Sequence, residues 1–332
     1  MHPFTLERPR DLSAAIALGA RTGRNDAATE YIAGGTDMLQ LLQENVRRPD
    51  RLVALAGLLD RDIDAGSERL RIGAGSTMAE VAAHPQVAKD YPLIADALLN
   101  SASPQVRNQA TIGGNLLQRT RCPYFRDVGY AQCNKRAPGS GCAAIGGENR
   151  WHAVLGTSNA CIAAHASDLA VALVALDATL EIRGPARQRT VALAEFHRLP
   201  GSTPHIETVL DAGEVIAAVE VPRSATARQS SYVKVRDRAS FEFAVVSAAA
   251  ILQVDGDRIR QARIALGGVG TKPWRVPAVE AALSGARLDA STIRPAAALA
   301  RQGSRGYGRN DFKIELMQRA IVRAVETAGA RT

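Results

Sequence analysis

Two short segments with paired glycines have the residue types that bind phosphate groups. They are Ala33-Gly34-Gly35-Thr36-Asp37 and Thr111-Ile112-Gly113-Gly114-Asn115. Glycine lets backbone N–H groups approach a ligand without a Cβ in the way, and Thr, Asp and Asn add short hydrogen-bonding side chains. Either segment alone could be a simple tight turn. Because the two are alike and each follows an apolar stretch, together they predict the two sides of a site for a pyrophosphate-containing cofactor.

The familiar phosphate-binding motifs are missing from the sequence. There is no Gly-x-x-x-x-Gly-Lys-Ser/Thr segment. The only Gly-x-Gly-x-x-Gly/Ala match lies at residues 139–144. It follows Pro138 in an irregular region with no strand before it, so the context that a Rossmann site requires is absent. We therefore expect neither a P-loop nor a Rossmann-type nucleotide site.

The cysteines point to a second kind of chemistry. All four lie within residues 122–161, at Cys122, Cys133, Cys142 and Cys161, and ten, eight and eighteen residues separate them. Structural zinc prefers pairs of cysteines two to four residues apart, whereas an iron–sulfur cluster suits long, irregular spacers at least as well. Disulfides are rare in proteins without a secretory signal. The spacing therefore favours an iron–sulfur cluster over zinc, with disulfides or unrelated cysteines as the remaining alternative.

The cluster would also account for a stretch that lacks hydrophobic periodicity. Residues 118–159 are rich in Arg, Gly, Pro and Asn, and metal bonds can supply the ordering free energy that such a stretch cannot gain by burial. His152 and His165 lie nearby in the sequence and could replace a ligand. Four cysteines already complete a ligand set, and a lone histidine is more often a hydrogen-bonded structural residue.

Short strands and amphipathic helices are predicted around the glycine segments. Residues 31–33 are typical of a strand that enters the first glycine turn, and residues 38–42 of the helix that leaves it. Residues 70–75 predict a second strand. The Thr77-x-x-Glu80 spacing then predicts a helix that begins near Thr77 with a capping box.

The second half of the sequence reads as strands followed by helices. Strands are predicted at residues 179–183, 215–222, 232–236, 244–254 and 260–266. The polar stretch 223–229 between the second and third of these is our domain boundary. The last helix begins at a cap provided by Asn310 or Asp311. Its apolar residues fall on one face, at Phe312, Leu316, Ala320, Ile321, Ala324 and Val325.

Composition excludes several classes of function. The sequence of 332 residues is 46% hydrophobic, and its longest clear apolar run, residues 169–176, ends at Asp177, so no membrane insertion is expected. The net charge of +8 comes from scattered arginines rather than a basic block, and aromatic residues are few at 4%, so nucleic-acid binding is not expected. The N-terminus lacks a secretory signal. We therefore expect a cytoplasmic protein, or a periplasmic one exported together with a partner that carries the signal.

Several motifs occur in one order along nearly the whole sequence. They are the first glycine segment at 33–37, Val-Arg-Asn-Gln-Ala-Thr-Ile-Gly-Gly-Asn at 106–115, which contains the second glycine segment, Ala-Ser-Asp-Leu-Ala at 166–170, Gly-Glu-Val-Ile at 213–216, Glu-Val-Pro at 220–222, Tyr-Val-Lys-Val-Arg at 232–236, and Leu-Gly-Gly-Val-Gly-Thr-Lys-Pro at 266–273. This set resembles the FAD-binding (medium) subunit of the molybdenum hydroxylases, the xanthine dehydrogenase and aldehyde oxidoreductase group. The Cys-Pro-Tyr-Phe-Arg-Asp and Cys-Asn-Lys-Arg segments at Cys122 and Cys133 resemble the branch with an additional 4Fe-4S cluster, to which the periplasmic aldehyde oxidoreductases belong.

The resemblance implies an α+β fold in two domains. Residues 1–224 would form a vanillyl-alcohol-oxidase-type FAD-binding domain of two α/β lobes. These would cover about 1–58 and 59–224, with the cluster-binding insertion at 119–161. Residues 225–332 would form a C-terminal flavoprotein domain with a three-stranded antiparallel sheet and helices.

The same resemblance implies roles for individual residues. Ala33, Gly34, Gly35, Thr36 and Asp37 would wrap the FAD pyrophosphate from one side, and Thr111, Gly113, Gly114 and Asn115 from the other. Ala102, Val106 and Ala110 would line the pocket, and Ile216 would pack near the flavin ring. Asp168 would hydrogen-bond the ADP end, or else only cap the helix that follows it. Lys234 would reach the flavin or its ribityl chain, or else lie on the face of a surface strand. The four cysteines would bind the 4Fe-4S cluster.

The function implied is electron transfer within a heterotrimer. A large subunit would oxidise an aldehyde or purine at its molybdenum cofactor, a small subunit would carry 2Fe-2S clusters, and FAD here would pass electrons to an external acceptor. This subunit then needs no catalytic acid or base. The alternatives are a zinc-stapled nucleotide-binding scaffold or regulatory subunit without redox activity, and a self-sufficient flavin oxidase, for which no paired acid and base residues can be identified.

Overall fold

Three β-sheets built from successive parts of the chain organise the structure, a computed structural model that describes residues 1–20 and 29–331. Each sheet carries helices from the same part of the chain. In the described ranges, no helix combines the length and the apolar character needed to cross a membrane.

The first sheet is parallel and places the first glycine segment. Its strands are β1 (Thr5–Glu7), β2 (Thr29–Ile32) and β3 (Arg51–Ala54), in the order β1-β3-β2. Helix α1 (Leu12–Gly19) follows β1, and α2 (Met38–Gln43) connects β2 to β3. The strand, glycine turn and helix predicted at residues 31–42 are therefore confirmed. Residues 33–37 lie at the carboxyl end of β2, the end at which open parallel sheets bind ligands.

The second sheet is antiparallel, with the order β4-β5-β8-β6-β7. Its strands are β4 (Ile63–Ala65), β5 (Arg69–Gly73), β6 (Thr179–Arg183), β7 (Gln188–Ala192) and β8 (Val215–Pro222). The associated helices are α3 (Met78–Ala83), α4 (Pro85–Asp90), α5 (Pro92–Leu99), α6 (Pro104–Gln109), α7 (Ile112–Leu116), α8 (Pro123–Arg126), α9 (Asp168–Ala175) and α10 (Leu193–Phe196). The predicted capping box is confirmed, since Thr77 Oγ1 accepts from the Glu80 N–H at 3.2 Å and Glu80 Oε2 accepts from the Thr77 N–H at 2.8 Å.

The third sheet is antiparallel and has four strands in the order β12-β11-β10-β9. They are β9 (Ser230–Val235), β10 (Val246–Asp255), β11 (Arg258–Gly267) and β12 (Trp274–Arg275). The prediction of a three-stranded sheet was therefore wrong by one strand. Strand β12 has only two residues, paired with Ala265 and Leu266, and so short a strand leaves no alternating pattern in the sequence.

Helices complete this part of the chain. They are α11 (Pro277–Leu283), α12 (Ala290–Ala298) and α13 (Phe312–Gly329), with two short 3₁₀ helices at Ala225–Arg228 and Leu299–Arg301. Asp311 is the N-cap residue of the last helix, as expected, but its side chain makes no capping hydrogen bond. Asn310 accepts from the Tyr307 N–H and Asp311 from the Gly308 N–H, each at 2.8 Å, so both side chains stabilise the preceding loop instead.

After Asp168, the sequence of helix α9 is apolar on every side, and the burial of the helix explains this. All eight of its residues are buried, because it packs against α5 on one side and against β10 and β11 of the third sheet on the other. Its first residue, Asp168, is consequently held where the second and third sheets meet.

Candidate cofactor-binding site

A cavity of about 540 Å³ is lined by segments associated with all three sheets. Such a volume is typical of cofactor pockets. All fifteen residues proposed above for cofactor binding line this one cavity: Ala33, Gly34, Gly35, Thr36, Asp37, Ala102, Val106, Ala110, Thr111, Gly113, Gly114, Asn115, Asp168, Ile216 and Lys234. The tertiary structure therefore brings together residues that are up to two hundred positions apart in the sequence. Their individual roles toward a ligand stay predictions.

The first glycine turn has backbone N–H groups available for a ligand. Within the described part of the chain, no acceptor receives a hydrogen bond from the N–H of Gly34, Gly35, Thr36 or Asp37. Gly35 adopts a φ of +73°, which favours glycine. A Cβ on Gly34 would overlap with the carbonyl oxygen of Gln109. Consecutive free N–H groups in such a turn form a concavity that binds anions, which is the property that the predicted pyrophosphate site requires.

The second glycine segment differs from the first, although their sequences are alike. It forms the start of α7, and the N–H groups of Ile112 and Gly113 already donate to Ser76 and Ala74 carbonyls at 2.9 and 3.0 Å. The Gly114 N–H donates to Thr111 Oγ1 at 3.2 Å. A Cβ on Gly113 would lie 3.1 Å from the Cβ of Ala74. Glycine at position 113 therefore allows α7 to pack closely against the residue that follows β5. The N–H groups that have no acceptor in the described part of the chain are those of the first glycine segment, residues 34–37.

The charges that line the cavity balance one another. Five acidic residues (Glu30, Asp37, Asp168, Glu214 and Glu242) face five basic ones (Arg47, Arg119, Arg121, Lys234 and Arg238). Most are paired at short range; for example, Arg47 lies 2.8 Å from Glu30 and Arg189 lies 2.7 Å from Glu214. A negatively charged ligand would therefore be held by oriented N–H groups rather than by an excess of cations.

Asp37 connects the first glycine turn to the cysteine-rich insertion. Its Oδ2 accepts from the Arg119 N–H at 2.8 Å, and its Oδ1 pairs with Arg126 at 2.6 Å and with Arg121 at 3.0 Å. Sequence reasoning missed these arginines, because nothing in a Gly-Gly-Thr-Asp turn shows which distant cations its carboxylate will meet. Arg121 also stacks over the Phe243 ring at 4.6 Å, and residues from 238 to 243 line the cavity. The sequence analysis did not predict this segment as part of the site.

Asp168 and Lys234 form a buried ion pair at 2.8 Å, with side chains 6% and 1% exposed. Lys234 Nζ also donates to the Asn100 carbonyl at 2.9 Å. Asp168 accepts from the Tyr232 hydroxyl at 2.7 Å and from the Ser101 hydroxyl at 2.8 Å. Burial, together with the charge of Asp168, raises the pKa of Tyr232 well above its usual value, so Tyr232 stays a donor.

This pair settles two structural alternatives. Asp168 does not cap α9, since the Ser167 hydroxyl accepts from the Ala170 N–H at 3.0 Å and performs that role. Lys234 does not lie on the surface face of its strand. The pair instead joins the start of α9 to strand β9, at the wall of the cavity.

Comparison with protein families identifies the chain. The model described as the FAD binding domain in molybdopterin dehydrogenase matches residues 2–224, and the model described as the CO dehydrogenase flavoprotein C-terminal domain matches residues 230–328. The chain belongs to the FAD-binding subunits of the molybdenum hydroxylases. The family resemblance seen in the sequence is thereby confirmed.

The similarity to individual relatives covers nearly the full length of the chain. Aldehyde oxidoreductase FAD-binding subunit PaoB of Escherichia coli (strain K12) is 45% identical over 334 residues and all of both chains. The carbon monoxide dehydrogenase medium chain of Afipia carboxidovorans is 25% identical and covers 99% of this chain and 97% of its own. The crystal structure of quinoline 2-oxidoreductase from Pseudomonas putida 86 superposes with a TM-score of 0.75 at 27% identity, with full coverage of both chains. The structure of CO dehydrogenase from Oligotropha carboxidovorans shares the fold, with a TM-score of 0.76, 24% identity and full coverage of both chains.

The insertion of this FAD-binding subunit brings its cysteines near one another. Cys133 and Cys142 face each other in an isolated antiparallel bridge, and Cys122 packs in the small apolar clusters that contain them. All four cysteines are free thiols. His152 Nε2 lies 3.1 Å from Cys122 Sγ. Burial raises the pKa of the Cys122 thiol to about 12 and also raises that of Cys161, so a thiolate here needs a compensating charge, which a metal provides.

We expect Gly34→Ala to weaken FAD binding at least tenfold, because the new Cβ forces the turn away from Gln109 and displaces its free N–H groups. Gly66→Ala is the matched control, since the nearest atom to its Cβ lies at 3.6 Å. Flavin fluorescence titration of the apo-subunits measures both affinities. Unchanged FAD affinity in Gly34→Ala would contradict this role of the turn.

Lys234→Met should destabilise the subunit by about 3–5 kcal/mol, because it leaves the buried Asp168 carboxylate without its cation. The double variant Asp168→Asn/Lys234→Met should lose less, since no unpaired charge stays buried. Urea denaturation followed by circular dichroism gives the free energies of unfolding. Equal losses in the single and double variants would contradict the expectation that the loss comes from a buried carboxylate left without its cation.

Proposed function

We propose that this chain is the electron-transfer flavoprotein subunit of a heteromeric molybdenum-dependent aldehyde oxidoreductase. It would receive electrons from iron–sulfur centres and deliver them through FAD to an external acceptor. The observation that carries the proposal is the turn of four free N–H groups in a cavity lined by every proposed cofactor residue. An aldehyde substrate is favoured over a purine, because the relative that is 45% identical over its full length is named an aldehyde oxidoreductase subunit.

The protein's own residues would hold and orient the cofactor. The N–H groups of residues 34–37 would bind the pyrophosphate, with α7 closing the other side. The half-buried Val106 and the buried Ile216 provide apolar wall, and the Asp168–Lys234 pair provides fixed polar groups. Bound FAD supplies the redox chemistry that amino-acid side chains lack, since it can exchange electrons singly or in pairs.

We infer partners of two kinds, a large subunit with the molybdenum cofactor and a small subunit with 2Fe-2S clusters, in a heterotrimer. The relatives support this inference, since they are named as an FAD-binding subunit and as medium chains, which are parts of larger enzymes. Family membership argues against a nucleotide-binding scaffold without redox activity.

We also propose the division of the chain into an FAD-binding domain at 1–224 and a C-terminal domain at 225–332. The first would have lobes at about 1–58 and 59–224, in the manner of vanillyl-alcohol oxidase. The placement of the sheets supports these boundaries: β1–β3 end at Ala54, β4–β8 run from Ile63 to Pro222, and β9 begins at Ser230.

We propose that Cys122, Cys133, Cys142 and Cys161 hold a 4Fe-4S cluster that mainly orders the insertion. In the described residues, no three His, Cys, Asp or Glu side chains are arranged to hold one metal ion. A 4Fe-4S cluster does not require such convergence, since each thiolate binds a different iron. All four thiols are free, and those of Cys133 and Cys161 are buried, which fits that ligand set, whereas zinc would need them to meet at one point.

Replacing Cys133 by Ser should remove iron and lower the melting temperature of the subunit while the flavin reduction potential changes little. The reason is that the insertion has few apolar contacts of its own to keep it ordered. Iron analysis, thermal melting and a redox titration followed at flavin wavelengths measure the three quantities. Normal stability with slowed flavin reduction would instead place the cluster in the electron path, and zinc in place of iron would refute the cluster.

The electron-transfer role predicts how the assembled enzyme behaves without flavin. In a complex that carries Gly34→Ala and has lost FAD, aldehyde should still reduce the iron–sulfur centres, but turnover with the external acceptor should fall at least tenfold. Stopped-flow spectra and steady-state assays measure the two steps, and added FAD at high concentration should restore turnover. Full turnover in the flavin-free complex would refute the proposed role.

A further inference from the structure

The side chain of Asp37 connects the first glycine turn to the cysteine-rich insertion, residues 119–161. In the described part of the chain, its oxygens accept from the Arg119 N–H at 2.8 Å, from Arg126 Nη2 at 2.6 Å and from Arg121 Nη2 at 3.0 Å. All three donors belong to the insertion. The Asp37 and Arg126 side chains are only 16% and 11% exposed, so solvent and salt screen their attraction less than that of a surface pair.

The position of Arg126 depends on the backbone around Cys122. Cys122 is the N-cap residue of α8, which ends at Arg126. The Cys122 carbonyl accepts from the Arg126 N–H at 3.0 Å, and Arg126 Nε donates to the Thr120 carbonyl at 3.0 Å. A change in the order of this backbone therefore reaches the Asp37 carboxylate through a single side chain.

Helix α2 makes a second contact with the insertion. The helix directly follows the glycine turn, and its residue Leu41 packs in an apolar cluster with Phe125 and Cys133. Arg121 Nη1 donates to Gln40 Oε1 of the same helix at 2.9 Å. Disorder in the insertion would therefore remove packing from α2 and charge pairing from the turn at the same time.

We propose that Asp37 is a positioning residue that couples the order of the insertion to FAD binding. With its donors in place, Asp37 holds the turn in the conformation that presents the N–H groups of residues 34–37. Coupling between two sites is reciprocal, so bound FAD stabilises the insertion by the same free energy by which an ordered insertion strengthens FAD binding. The inference rests on the proposed FAD site.

Hydrogen exchange followed by mass spectrometry on the assembled complex, without FAD and with saturating FAD, tests the coupling. We expect FAD to slow exchange of protected amides in residues 122–147 at least fivefold, although these residues do not line the FAD cavity. In Asp37→Asn, saturating FAD should slow the same amides less than twofold. No slowing in the unsubstituted complex, or equal slowing in Asp37→Asn, would overturn the proposal.

The substitution Asp37→Asn removes the charge and little else. The amide oxygen that replaces the carboxylate can still accept from the Arg119 N–H. Glu44 lies 3.6 Å from Arg126, so the guanidinium keeps a carboxylate nearby. The saturating concentration of FAD ensures that a weaker affinity of the variant does not change the comparison.

Asp255→Asn is the matched control. Asp255 also pairs with an arginine, Arg260, but both side chains are more than half exposed, the pair lies on the hairpin of β10 and β11, and neither residue lines the FAD cavity. FAD should slow exchange in the insertion of this variant as it does in the unsubstituted complex. Loss of the FAD effect in Asp255→Asn would overturn the assignment to Asp37.

The reciprocal measurement starts from the insertion. Asn134 accepts from the Gly141 N–H at 2.9 Å and donates to the Ala160 carbonyl at 3.0 Å, so Asn134→Ala loosens the insertion at a distance from the cavity lining. This substitution should weaken FAD binding at least fivefold in the unsubstituted complex and less than twofold in Asp37→Asn. Equal effects in the two backgrounds would refute the coupling, because independent sites give additive free energies.

A milder variant serves if Asn134→Ala fails to fold. Tyr124→Phe removes only the hydroxyl that accepts from the Glu148 N–H at 2.6 Å within the insertion, and it should show the same dependence on Asp37. Gly34→Ala separates the two proposals. Unchanged FAD affinity in Gly34→Ala refutes the FAD site, whereas weakened affinity there with equal effects of Asn134→Ala in both backgrounds refutes only the coupling.

Discussion

The structure depends on the close approach of the first glycine turn to the backbone at Gln109. No side chain fits between Gly34 and that carbonyl, so the first sheet and the end of α6 meet directly. In this turn, the N–H groups of residues 34–37 donate to no acceptor within the described ranges. N–H groups that have no acceptor within the protein are available to donate to a ligand, and a pyrophosphate can accept from several of them at once. Since the charged lining residues balance, this turn is the principal source of attraction for a phosphate ligand.

Two ion-pair systems connect this turn to the rest of the molecule. Asp37 binds the arginines that precede and follow Cys122, so the turn and the cysteine-rich insertion share one set of contacts. On the opposite wall, Asp168 and Lys234 join α9 to the third sheet. Such buried pairs add little net stability, since desolvation offsets most of their attraction, but they restrict the elements to one relative arrangement. These ion pairs, whose charges are neutralised within the protein, thus help to fix the positions of the elements that line the cavity.

The insertion shows how a sequence without a hydrophobic period can still be ordered. It has only small apolar clusters around Cys122, Cys133 and Cys142, and Arg126 and Lys135 connect it to its surroundings, while Arg136 donates to carbonyl oxygens within the insertion itself. Burial favours the protonated form of at least two of its thiols. The proposed metal coordination would reverse that preference and supply stabilisation that the small apolar clusters do not.

The sequence alone was enough to predict most local elements, the family and fifteen of the residues that line the first cavity. The Thr77 capping box, the turn after β2 and the three long strands of the third sheet depend on neighbouring residues, so spacing and periodicity predicted them. It did not show that the two similar glycine segments differ in their free N–H groups, that Asp37 binds Arg121 and Arg126, or that β12 adds a fourth strand. Nor did it show that the rings of His165 and His197 pack edge to face beside a second cavity. These features arise from contacts between residues far apart in the chain, and only tertiary packing decides which donors, acceptors and charges meet there.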